Sequence, residues 1–247
     1  MRVVGTSWIP RLRSALNEYA MKSLTQPLRS VSTADMLERL LAKEGTAAHG
    51  YCAGAIARKP EGFVRSSIDF ADAVHHISLL HGQAPGLVGY AAGRIAENAA
   101  RDWLVQAADG FARERGYLNR IVVAAGPLPS TAGQHHMSTV ISQQRHALKM
   151  LAQSDRRGCA LGAAIALVLD WRAIRSLLEG GSARLGIDPP ALTLPSSVDT
   201  LRTLMEVERE YNVSRAVQFG ASQLLGQHRG VWDLLQARAE ARRAAEF

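Results

Sequence analysis

Apolar positions along this chain recur three and four apart, the interval that lines one face of an α-helix, from residue 32 almost to the end. One-for-one alternation, the mark of a half-buried strand, is nearly absent. Ser32 with Asp35 three residues on forms a capping box, and MLERLLAKEG runs from it to Gly45, a residue suited to end a helix. A short alanine-rich helix is expected over about 46–58, broken by Pro60 and Gly62. Ser66 or Ser67 opens a helix over 67–81 that Gly82 closes. Pro85-Gly86 starts a helical pattern reaching Ala125, long enough to kink or split, with Gly93, Gly110 and Gly116 its weak points.

The loop GPLPSTAG leads into a helix over about 132–153, opened by a Thr131/Gln134 box. Asp155 can cap the next helix, about 156–178. Its run GCALGAAIALVL, Gly158 to Leu169, is apolar all round but too short to span a bilayer, so it reads as a buried core helix with no membrane span. Residues 180–197 form the longest break, a candidate crossover or functional loop. Ser197 caps about 198–212. Two more helices, 214–226 and 229–245, finish the chain, and the charged end QARAEARRAAEF is expected to fray or to meet a partner. The fold class is therefore all-α, a bundle of seven to nine helices, with an N-terminal extension at 1–31 and a single helical domain at 32–247. The extension carries one short helix after Pro10 and a loop at Gln26-Pro27. Met21 offers a second start, so residues 1–20 are expected either to pack loosely or not to be native.

Composition sharpens this picture at three points. Aromatics are sparse at 6%, which disfavours sheets. Two distant cysteines, Cys52 and Cys159, make no disulfide framework and fit a reduced, cytoplasmic protein. Net charge is +7, and 25 of the 29 basic residues are arginine. That balance suits either a polyanionic partner or the habit of an alanine- and arginine-rich proteome. No Lys/Arg-rich run of the kind that marks a nucleic-acid patch is present. The N-terminus lacks an apolar stretch before a small-residue cleavage site, which again points to the cytoplasm.

The stretch VHHISLLH packs His75, His76 and His81 into eight residues, and His135-His136 follow in GQHHMSTV. On a helical wheel His81 lies inside the apolar stripe of Phe70, Ala73, Val74, Ile77 and Leu80. His76 lies on the flank beside Asp72, and His75 points away. Three histidines facing three directions cannot form one local site. His135 and His146 share an azimuth but stand about 16 Å apart along the axis. The chain has no Glu-x-x-His and no H-E-x-x-H motif, so no metal site and no cofactor are expected. Asp72 with His76 is the weak metal candidate, and His49 with Cys52 is the other local pair.

Charges on apolar faces are harder to explain than histidines on polar ones, because burying an unpaired charge is costly. Glu97 and Glu114 fall on the inner face marked by Trp103, Leu104, Ala107, Phe111, Leu118 and Ile121, about 25 Å apart if that helix is continuous. Asp170 ends the all-apolar run. With His81 and His76 these acids either form structural ion pairs with arginines or line a polar pocket in the bundle core. Arg156 and Arg157, placed in a first helical turn, oppose the helix dipole and are anion-binding candidates. The small residues of GCALG, four apart, admit a neighbouring helix or a flat ligand.

FADAVHHISLLHG and SDRRGCALGAAIALVLDWRAIR resemble an uncharacterised helical family of Alphaproteobacteria, over most of the chain after about residue 33. The resemblance implies a helical fold and a bacterial cytoplasmic setting, and no activity. The glycine-containing helix is also similar to the distal helix of haem oxygenases, although their Gly-Asp…Ser-Gly-Gly pattern is missing. Ferritin-like bundles match in size and helix content but not in ligand motif. Three functional readings follow. The first is a non-catalytic protein acting through helix-face or arginine-rich contacts with a partner or with itself. The second is a helical-bundle enzyme or ligand binder, with metal or haem, built on Glu97, Glu114, Asp170, His81 and His76. The third is nucleic-acid binding through Arg156, Arg157 and the terminal arginines.

Overall fold

The apolar run at Gly158–Leu169 becomes the first half of the central helix, and the other elements pack around it. The structure is a computed structural model that describes residues 32–57, 64, 66–95 and 98–245. Its helices are α1 (Thr33–Glu44), α2 (Gly50–Ile56), α3 (Ser67–His81), α4 (Gly86–Ala92), α5 (Asn98–Ala125), α6 (Gln134–Ala152), α7 (Cys159–Ser182), α8 (Ser197–Tyr211) and α9 (Ser214–Ala245). Short 3-10 turns occupy Thr46–Ala48 and Ala183–Leu185, and no strand occurs among the described residues. The protein is an all-α bundle within the expected range of seven to nine helices. The expected helix after Pro10, the Gln26-Pro27 loop, the break at Pro60 and Gly62, and Glu97 lie outside the described residues.

Helices α7 and α9 meet backbone to backbone. A Cβ on Gly162 would lie 2.1 Å from the Val217 carbonyl oxygen, and one on Gly220 would lie 2.0 Å from that of Cys159. Only glycine fits either place. The small-residue face of GCALG is thus filled by the backbone of α9, which leaves no room there for a flat ligand. Cys159 and Gly162 face Gly220 and Val217, while Asp170 further along α7 meets His228 further along α9, so the two helices run parallel. Helix α3 runs antiparallel to both. Its start meets the end of α7 where Phe70 packs on Gly181, and its end meets the middle of α9 where His81 touches His228.

Local sequence explains some boundaries. Ser66 caps α3, its Oγ accepting from the Asp69 amide at 3.2 Å. Other expectations shift. The 85–125 pattern divides once, after Gly93, and runs unbroken through Gly110 and Gly116. Gly110 stays helical because Leu194 packs against it, 2.7 Å from where a Cβ would be. The 214–226 and 229–245 helices are one 32-residue helix, since a glycine costs an interior turn only about 1 kcal/mol and packing on α7 outweighs that. Helix α7 starts at Cys159 after a left-handed Gly158, so Asp155 is not its cap, and Arg156 and Arg157 precede the helix instead of occupying its first turn. Asp155 pairs with Arg94. Helix α6 likewise starts after a left-handed Gly133, without the Thr131/Gln134 box. Ser196, one residue before Ser197, caps α8. The long break shortens, because α7 continues to Ser182.

The glycine contacts predict opposite signs for one substitution type. Gly162→Ala and Gly220→Ala should each cost about 2–3 kcal/mol, as overpacking against backbone does. Gly116 and Gly226 have open space around them, and Ala there should stabilise by about 0.5–1 kcal/mol. Urea unfolding of the four variants measures both.

Candidate functional site

Asp170 is buried at 3% exposure in the middle of the core, where an ionised carboxylate needs every available donor. It has three. The Thr46 amide donates to Oδ1 at 2.7 Å, and the Thr46 hydroxyl donates to Oδ2 at 2.7 Å. His228 Nδ1 stands 2.7 Å from Oδ2. Trp232 Nε1 donates to the Thr46 hydroxyl oxygen at 3.0 Å and so orients it. Gly45 makes the approach possible, since a Cβ there would lie 2.9 Å from Asp170 Oδ1.

From His228 the chain continues outward. Its Nε2 lies 2.9 Å from His81 Nε2, and both rings are buried. Tautomers follow from the anchor. An ionised Asp170 accepts from His228 Nδ1–H, which in a neutral ring leaves His228 Nε2 as an acceptor. His81 must then donate through Nε2–H, and its Nδ1 carries the lone pair. Burial, followed by the charges of His228 and Arg115, holds the His81 imidazole well below its ordinary pKa, so the ring is neutral. His81 Nδ1 has no hydrogen-bond partner among the described residues. A proton arriving there can be relayed, because His81 releases its Nε2 proton to His228, whose imidazolium then lies against the Asp170 carboxylate.

His81 lines a cleft of about 260 Å³ between the end of α3, the turn into α4, and α6. Leu80, Leu87 and Leu148 form its apolar lining, and Gln83, Tyr90, Ser142, Arg145, His146 and Lys149 join His81 in its polar lining. The His81 and Trp171 rings also stand edge to face, with centroids 5.6 Å apart.

The other residues expected at a pocket are placed elsewhere. His76 is buried, with Nδ1 2.7 Å from the Asp72 carbonyl and 3.2 Å from its carboxylate. Asp72 in turn receives Arg238 at 2.9 Å and Arg242 at 2.8 Å. Burial alone would raise the Asp72 carboxyl, but hydrogen bonds from His76, Arg238 and Arg242 hold it far below the usual carboxylate range. Its oxygens are spent on arginines and are not open to a metal. Arg242 also bonds Asp69 at 2.7 Å, so the charged end of α9 is docked on α3 rather than frayed. Glu114 forms a third cluster. It pairs with Arg175 and accepts from Trp171 Nε1 at 2.9 Å. His75 is half-buried, 2.8 Å from the Gly126 carbonyl.

The structure therefore joins His81 and Asp170 and separates both from His76 and Glu114. His49, the other local ligand candidate, uses Nδ1 to cap α2 and Nε2 to bond Asp233 at 2.9 Å. Cys52 and Cys159 are buried and unbridged, and burial, then the Asp170 charge, pushes the Cys52 thiol far up. Among the described residues no three His, Cys, Asp or Glu side chains are grouped to hold a metal ion. No helix among them is long and apolar enough to cross a membrane. Arg156 and Arg157 lie over the rings of Phe219 and Tyr211, at 5.6 and 4.2 Å.

Sequence reasoning missed His228, the residue that links the two it found. Val217, Ala221, Leu224, His228, Val231 and Leu235 form one heptad-like stripe on α9, and all are buried. Dividing that helix near Gly226 placed His228 in a connection and hid the stripe.

A protein-family model described as a family of unknown function, DUF6975, matches residues 41–243. The chain belongs to this family. No curated protein and no solved structure matches it. The DUF6975 region contains Thr46, His81, Asp170, His228 and Trp232, so the whole hydrogen-bonded chain and its cleft lie within the family's span.

Two predictions test the electrostatics. The unfolded chain takes a proton on His81 near pH 6.5 while the folded chain resists it, so stability falls as pH drops below about 6.5, by at most ~1.4 kcal/mol per pH unit. His81→Gln should be less sensitive, and the stability gap between it and the parent should narrow from pH 7 to pH 5. A gap that does not change with pH would contradict the assignment. Arg238→Met strips Asp72 of a buried partner and should cost about 3–5 kcal/mol in chemical unfolding, whereas Arg202→Met, on a surface pair, should cost less than about 1 kcal/mol.

Proposed function

We propose that this DUF6975 protein is a helical-bundle ligand binder, and that His81 accepts a proton or hydrogen bond from a small molecule held in the cleft beside it. One observation carries the reading. A buried carboxylate with three donors is connected through His228 to His81, and His81 lines the cleft. Asp170 fixes the His228 tautomer and balances charge. His228 carries the proton, and His81 meets the ligand. The chemistry this supports is general-base proton abstraction, with burial keeping the base neutral and ready.

The interaction reading rests on the lack of a complete catalytic motif and on the charged C-terminal helix; of that helix, Arg238 and Arg242 are engaged within the bundle. The nucleic-acid reading rests on Arg156, Arg157 and the terminal arginines, and of these Arg156 and Arg157 lie over aromatic rings. The cleft reading draws on more of the geometry than either. The setting we propose is the bacterial cytoplasm, in Alphaproteobacteria as the sequence resemblance implies.

A fragment screen followed by NMR tests the proposal. At least one class of binder should shift the His81 ring signals, identified by their loss in His81→Gln, and binding of that class should weaken tenfold or more in the variant. A screen whose binders leave the His81 ring unmoved would count against the cleft as the site.

A further inference from the structure

The cleft beside His81 has an electrostatic signature that the proton-relay reading does not use. Ser142, Arg145 and Lys149 recur three and four apart on α6 and present one polar face to it. Lys149 reaches across toward α4, its Nζ 5.4 Å from the centre of the Tyr90 ring, which lines the same cleft. From α5, Arg115 approaches Gly86 at the rim, with a guanidinium nitrogen 3.3 Å from where a Cβ would stand. Among the described residues, no carboxylate lines the cleft, and Arg145, Lys149 and Arg115 make no ion pair. Arg175, Arg238 and Arg242, by comparison, are each matched to a carboxylate.

Cations without a carboxylate partner on the wall of a concave, partly apolar site raise the local concentration of anions and hold them by charge-assisted hydrogen bonds. The volume, about 260 Å³, lies below the ~300–1,000 Å³ of sites for drug-sized molecules. It suits a small metabolite and not a polymer. We infer that the occupant is a small anion, a phosphate- or carboxylate-bearing molecule whose charged end is bound by Arg145 and Lys149, with Arg115 at the rim, and whose proton-bearing end faces His81. The inference rests on the cleft reading above and adds the ligand's chemical class. It also divides the labour within the site. The α6 cations bind and orient, and the His81 chain handles the proton.

The test is an NMR and thermal-shift titration of the full chain with inorganic phosphate, pyrophosphate and citrate. Sodium chloride holds ionic strength constant, and glycerol serves as the neutral probe. At least one anion should saturate, shift the His81 ring signals and raise the melting midpoint, with phosphate against citrate telling phosphoryl from carboxylate preference. Affinity should fall tenfold or more in the R145Q/K149Q double variant, be largely kept in R145K/K149R, and be unchanged in R156Q/R157Q. These are partly or fully exposed positions, and circular dichroism checks that each variant folds. Saturation that survives R145Q/K149Q, or no saturable anion at all, overturns the inference. If glycerol or another neutral fragment moves the His81 ring while the anions do not, the anion class falls and the cleft reading stands. If nothing reaches His81, both fall.

Discussion

The contact between α7 and α9 at Gly162 and Gly220 is the constraint on which the rest of the molecule depends. Two helices that touch through glycine cannot slide, because any side chain at either position meets backbone within about 2 Å. Register is therefore fixed at that point and carried along both helices. Asp170 lies eight residues beyond Gly162, and His228 lies eight beyond Gly220. Eight residues are two turns and about 80° more, so each side chain stands on the flank of its helix relative to the glycine seam. Asp170 and His228 meet there at 2.7 Å, about 12 Å along the two helices from the glycine contact. Packing and chemistry are set by the same geometry.

The second organising fact is how the core disposes of its charge. Three buried clusters, at Asp170, Asp72 and Glu114, hold acids that would be prohibitively costly alone. Two of them are closed by arginine, in pairs that fix α9 against α3 and α7 against α5. Such pairs specify an arrangement more than they add net stability, since removing both ions for apolar groups is often neutral. The Asp170 cluster has no arginine. It is completed by neutral donors and a histidine pair, and the pair leads out to a cleft. That difference in chemistry separates the candidate site from the structural pairs. A guanidinium would pin Asp170 with a permanent charge, whereas an imidazole can change its proton.

Much of this was legible in the sequence, and the losses have specific causes. The 3.6-residue period gave the all-α class and most helix spans. The wheel placed His81 inward and Asp170 at the end of an apolar run, and both are in the network. Burial of Glu114 was likewise visible, but its partner Arg175 lies on another helix, and no single-helix pattern reveals such a pairing. His228 was lost because the end of the chain was read as two helices, 214–226 and 229–245, where there is one. With α9 read as one helix, His228 falls on its buried stripe. Overvaluing local signals misplaced the caps of α6 and α7, where left-handed glycines do what side-chain boxes were expected to do. Arg238 and Arg242 looked like a solvated tail because their acids, Asp69 and Asp72, lie about 170 residues earlier in the chain.

The central claim is directional. Asp170 sets the His228 tautomer, and His228 sets that of His81, leaving a lone pair at the cleft. A long-range proton–nitrogen correlation spectrum of the uniformly nitrogen-15-labelled protein near pH 7.5 reads those tautomers directly. The account predicts His228 protonated at Nδ1, and His81 protonated at Nε2 with a bare Nδ1. Finding His81 protonated at Nδ1, with Nε2 accepting from His228, would reverse the chain and contradict the assignment of His81 as a base.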